Sequence, residues 1–86
     1  MYLIKSLTLE NSNCTVTFDL FNKDGKAILV ESALESNGSR TVRSYDGYED
    51  VSKHLWELAA MCDDYQVTRQ IRGLINSLVD EFCDYK

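Results

Sequence analysis

The side chains that could carry chemistry are few, and their spacing limits what they can do. His54 is the single histidine of the 86 residues, set between Lys53 and Leu55. Nucleophilic catalysis assisted by such an imidazole needs a hydroxyl or thiol within hydrogen-bond reach of it. Spacing assigns no Ser or Cys to it, so His54 reads as a partly exposed residue on a helix surface. Cys14, Cys62 and Cys83 are odd in number, far apart and outside any CxxC or Cys/His pattern. Free core thiols in a reducing compartment are the stronger reading, with a zinc site or a disulfide scaffold behind it.

Three acidic clusters, Asp46/Glu49/Asp50, Asp63/Asp64 and Asp80/Glu81/Asp84, invite comparison with metal sites. None has the alternating ligands and the glycine of a calcium loop. The first two fall at expected helix starts, where carboxylates complement the positive end of the dipole. The third falls near a helix C-terminus, where it is locally unfavourable; either a basic partner retains it or it is a solvated face. The glycines are isolated turn residues apart from Gly73, which falls inside an expected helix. It costs about 1 kcal/mol of propensity there, and a close helix approach would explain it. The expectation is therefore no catalytic residue, no metal and no cofactor, and a protein that is not an enzyme.

The elements that must position these residues follow from length and pattern. Eighty-six residues make one domain, 1–86, too small to enclose a deep active site. No stretch approaches the roughly 18 apolar residues of a membrane span, and Met1 to Leu9 does not read as a signal peptide. Fourteen acids face nine bases. Up to Tyr45 there are five of each, whereas Asp46 onward holds nine acids and four bases. Such a surface disfavours direct nucleic-acid binding and would speed encounter with a basic partner; the plainer reading is a solvated, solubilising surface.

The first half alternates at period two. Strands are expected over Tyr2 to Leu9, Cys14 to Phe21, Ala27 to Leu34 and Arg40 to Tyr45. They are separated by Asn11-Ser12-Asn13, by Asn22-Lys23-Asp24-Gly25 and by Asn37-Gly38, all strong turn chemistry. After Tyr45 the period becomes 3.6. Val51, Leu55, Leu58, Ala59 and Cys62 form one helical stripe, and Val67, Ile71, Leu74, Leu78 and Phe82 a second. Asp46 with Glu49, and Asp63 with Gln66, have capping-box spacing. The expected fold is α+β: a four-stranded antiparallel meander covered on one face by two antiparallel helices, ββββαα.

If Val16, Phe18, Leu20, Ile28, Val30 and Leu34 pack under the helices, the other face presents Tyr2, Ile4, Ser6, Thr15, Thr17, Asp19, Phe21, Leu29, Glu31 and Ala33. Aromatic and aliphatic anchors among hydroxyls and carboxylates describe an interface; the plainer alternative is scattered surface hydrophobes. Ser6, Thr17, Asp19, Phe21, Leu29 and Glu31 are the expected partner-binding residues.

The chain also resembles the small phage anti-CRISPR proteins, in particular the type I-F inhibitor built from a four-stranded sheet and two helices. The resemblance runs along nearly the whole chain: Ile4-Lys5-x-Leu7, Gly25-Lys26, Val30-Glu31, Asn37-Gly38, Arg43-x-Tyr45-Asp46 and, more loosely, Trp56. It implies binding to the Cas backbone subunits of a CRISPR surveillance complex in the host bacterial cytoplasm, blocking recognition of target DNA by guide RNA. The family's key contacts fall on Ser6, Phe21 and Glu31; only Glu31 keeps the family's residue, the other two standing in place of tyrosines. A monomer is expected. The alternative is a self-associating accessory protein that dimerises through its open sheet face.

Overall fold

Three short connections set the first half of the fold, and each is held by its own polar residues. In the computed structural model, which describes residues 1–83, strands β1 (Tyr2–Glu10), β2 (Cys14–Lys23), β3 (Lys26–Glu35) and β4 (Arg40–Asp46) form one antiparallel sheet in the order β1-β2-β3-β4. The Asn11 carboxamide oxygen accepts from the backbone N–H groups of Asn13 and Cys14, both at 2.8 Å, and closes the first turn. The second is a two-residue turn, Asp24-Gly25, with φ of 54° and 85°. Positive φ at both central positions is the type I′ geometry whose twist matches a hairpin. Ser39 N–H donates to the Asn37 side chain at 2.9 Å in the third.

Helices α1 (Tyr48–Met61) and α2 (Tyr65–Phe82) follow, joined by Cys62-Asp63-Asp64. The expected ββββαα order is the one observed. The caps differ from the sequence expectation. Asp46 remains in β4, and Gly47 at φ 96° precedes α1, with no side-chain cap; its N–H donates to Ala27 O at 2.8 Å. Asp64, one residue later than expected, caps α2 by accepting from Gln66 N–H at 2.8 Å and Val67 N–H at 3.4 Å.

The core lies between the helices and one face of the sheet. Phe18, Leu20, Ala27 and Leu29 meet Val51 and Leu55 of α1 and Ile71, Leu74, Ile75 and Leu78 of α2. Each is an apolar side chain taken out of water, and truncating one of the leucines costs about 2 to 5 kcal/mol.

Strand β3 is turned over relative to the sequence expectation. The two-residue turn pairs Lys23 with Lys26, and so Leu20 with Leu29, Phe18 with Glu31 and Val16 with Ala33. Directly opposed residues share a face, so Ala27, Leu29, Glu31 and Ala33 lie on the helix side. Ile28, Val30 and Leu34 lie on the other. Two residues of β1 are corrected as well. The register slips between Leu3 and Lys5, and the bulge turns Ile4 into the core margin. Tyr2 pairs with Asn22 and hydrogen-bonds Glu81 of α2.

Candidate functional site: the uncovered sheet face

Both helices pack on one side of the sheet, and among the described residues no helix or strand covers the other side. Alternation and register place its side chains in rows running across the strands. Leu3, Phe21, Ile28 and Asp46 are successive partners at one end. Ser6, Asp19, Val30 and Ser44 form the next row, then Thr8, Thr17, Ser32 and Val42, then Glu10, Thr15, Leu34 and Arg40. A wet antiparallel face is ordinarily polar. Here Leu3, Leu34 and Val42 are 51%, 41% and 59% exposed, and Phe21, Ile28 and Val30 are half-buried.

The apolar residues gather toward the first row. Phe21, Ile28 and Val30 line a shallow hollow of about 590 Å³ whose rim carries Met1, Lys23, Asp24, Lys26 and Asp46. Beside it, Ser6 Oγ donates to Asp19 Oδ1 at 2.6 Å. The bond fixes the carboxylate's position and leaves its second oxygen to accept from a partner. An apolar floor with charged groups of both signs around it is the make-up of a binding surface.

Of the six residues expected from sequence, the structure brings four together. Ser6, Thr17, Asp19 and Phe21 are all on the bare face. Leu29 and Glu31 are not: Leu29 is 0% exposed in the core, and the Glu31 carboxylate points under α1 to His54. The inversion of β3 moves both. It also supplies what the sequence reading missed, Ile28 and Val30, which the Asp24-Gly25 turn alone would have placed opposite Phe21 and Asp19. Leu3 was missed because the bulge after it resets the alternation.

His54 is likewise not a simple surface residue. Its Nε2 lies 2.8 Å from Glu31 Oε1, and its ring stacks on Tyr45 at 4.1 Å between centroids. The third acidic cluster is partly explained. Glu81 accepts from the Asn22 carboxamide at 2.8 Å and from the Tyr2 hydroxyl, so this carboxylate fastens the last turn of α2 to the sheet. Asp84 lies outside the described residues. Gly73 is not at a close approach, since a Cβ there would meet only the Lys5 side-chain end, at 3.9 Å. Cys14, Cys62 and Cys83 are free thiols, half-buried rather than in the core. Among the described residues no three His, Cys, Asp or Glu side chains converge as a metal site, and no helix is long and apolar enough to cross a membrane.

Fold and site together define a two-layer α+β domain with one bare, partly apolar sheet face. Comparison with protein-family models, with curated proteins and with solved structures gives no match.

Proposed function

We propose that this protein acts by stoichiometric binding through its bare sheet face, and that its target is a type I CRISPR–Cas surveillance complex. Held there, it blocks recognition of target DNA by guide RNA. The observation that carries the binding reading is the uncovered face itself, where Leu3, Phe21, Ile28 and Val30 stand together beside the Ser6–Asp19 pair. The choice of target rests on the sequence resemblance. Two of its three carried-over contacts, Ser6 and Phe21, belong to that face. Glu31, engaged with His54, is left out of the contact set. The partner on this reading is a Cas backbone subunit, met in the host bacterial cytoplasm. Nucleic acid is not contacted directly, because a net charge of −5 opposes a phosphate backbone.

The test is target-DNA binding by a purified type I surveillance complex with and without an excess of the protein. Inhibition is expected, and Phe21→Ala should weaken it by about 2 kcal/mol, the size of an interface hot spot. That variant should lose less stability than Leu29→Ala, whose cavity costs about 2 to 5 kcal/mol. Undiminished DNA binding at saturating protein would remove the CRISPR target. A homodimer broken by Phe21→Ala, with no effect on the complex, would favour the self-associating alternative.

A further inference from the structure

The two edges of the sheet are not alike. At the β1 edge, the bulge between Leu3 and Lys5 shifts the register, a device that spoils pairing with another chain. At the β4 edge, seven residues from Arg40 to Asp46 run without bulge, Gly or Pro, and every one but Tyr45 is exposed. Among the described residues no strand lies beside their outer backbone groups. Arg40 and Asp46 mark the two ends of this strand. The Glu31–His54 contact is the only ion pair among the described residues, so neither end has a charge partner within them.

We infer that the β4 edge binds a second copy of this chain, β4 against β4 in antiparallel register, extending the sheet to eight strands. The charges select that occupant. When Arg43 is placed on the two-fold axis, all seven residues of each strand are opposed, and Arg40 of one copy faces Asp46 of the other at both ends. Parity agrees, because Arg40 and Asp46 both lie on the bare face and Thr41 and Tyr45 both on the helix side. Opposed antiparallel residues must match in this way. Arg43 meets its own copy at the axis, the one unfavourable pairing, with Glu31 beside it on β3. A shift of two residues shortens the ladder and leaves Arg40 opposite Ser44. The two-fold axis is perpendicular to the sheet, so both bare faces point the same way, as one surface for a target with repeated subunits. The dimer stands or falls independently of the CRISPR target.

Sedimentation equilibrium of the purified chain tests it. A single added strand is a small interface, so a reversible dimer of the 9.9 kDa chain is expected at about 100 μM, with monomer on dilution. Arg40→Asp and Asp46→Arg should each raise the dissociation constant about tenfold or more, and the double reversal Arg40→Asp/Asp46→Arg should recover the parent value. Circular dichroism identifies any variant that fails to fold, and Phe21→Ala should leave the dimer intact. Three results would overturn the inference: a monomer at every concentration, a double reversal no better than the single ones, or a dimer lost in Phe21→Ala.

Discussion

His54 Nε2 lies 2.8 Å from Glu31 Oε1, and this contact ties the middle of α1 to the middle of β3. Both side chains are less than a fifth exposed, and the imidazole is held from its other side by the Tyr45 ring. Glu31 thereby holds the helix layer to the sheet. Replacing either Glu31 or His54 by Ala should cost about 1 kcal/mol of folding stability, the net worth of a part-buried hydrogen bond. The double variant should cost less than the sum of the two, as contacting residues do. Glu31→Lys should cost more, because it sets an ammonium against His54 and beside Arg43. Urea denaturation midpoints measure all four. A Glu31→Lys protein as stable as the parent but unable to bind would return this carboxylate to the contact surface.

The same residue marks where sequence reading stopped short. Strand order, the helical hairpin and the inward face of β2 follow from alternation, turn chemistry and the 3.6 stripe. The facing of β3 does not follow from its own composition, because Ile28, Val30 and Leu34 are as apolar as Ala27, Leu29 and Ala33. What decides it is the number of residues in the turn: with two, even positions of β2 pair with odd positions of β3, and a slip of one residue exchanges the faces. The bulge after Leu3 was invisible for a related reason, since only the partner strand shows which residue is extra. Gly47 takes the place expected of Asp46 because the chain enters α1 at positive φ, which glycine tolerates and a side chain resists.

Gly73 offers a stabilising change. It sits inside α2 with room for a methyl group, its nearest neighbours being the terminal atoms of Lys5. Gly73→Ala should therefore raise stability by about 0.5 to 1 kcal/mol, through helix propensity and a less disordered unfolded chain. A rise in melting temperature checks it. A fall would mean that α2 and β1 approach more closely than the Lys5 contact indicates.

The Tyr2–Glu81–Asn22 cluster should respond to pH at both extremes. Hydrogen bonds from Tyr2 and then Asn22 hold the Glu81 carboxyl below its ordinary value, while the bond to Glu81 pushes the Tyr2 phenol above 10.0. A lowered carboxyl pKa stabilises the fold above the unfolded value of about 4.3, and that support is lost as pH falls through the folded value. A raised phenol pKa supports the fold below about pH 10 and is lost as pH rises through the folded value. Tyr2 is 55% exposed, so solvent keeps both effects small. In melting curves, Glu81→Gln should flatten the acid limb and weaken the alkaline one, and Tyr2→Phe should flatten both limbs. Limbs unchanged in both variants would mean that the contact does not persist in solution.

The placement of charge decides how partner association should respond to salt. Between Tyr48 and Asp64 there are five acids and one lysine, so α1 and the segment after it carry four of the five net negative charges. The bare face is nearly balanced, with Glu10, Asp19, Asp24 and Asp46 against Lys23, Lys26 and Arg40. Helix α1 lies behind the sheet, in a molecule whose shortest dimension is 17 Å. A dimension of that size exceeds the Debye length of about 10 Å at 0.1 M salt, so the acids on the outer side of α1 are largely screened from a partner approaching the bare face. Association there should change by less than about threefold between about 0.1 M and 1 M salt, and at those concentrations neutralising Glu49, Asp50 and Glu57 to their amides should leave the on-rate within about twofold. Stopped-flow association with the proposed target complex, at two salt concentrations and with both proteins, distinguishes the faces. A steep fall in on-rate, in salt and in the triple variant alike, would move the docking surface from the bare sheet to the exposed side of α1.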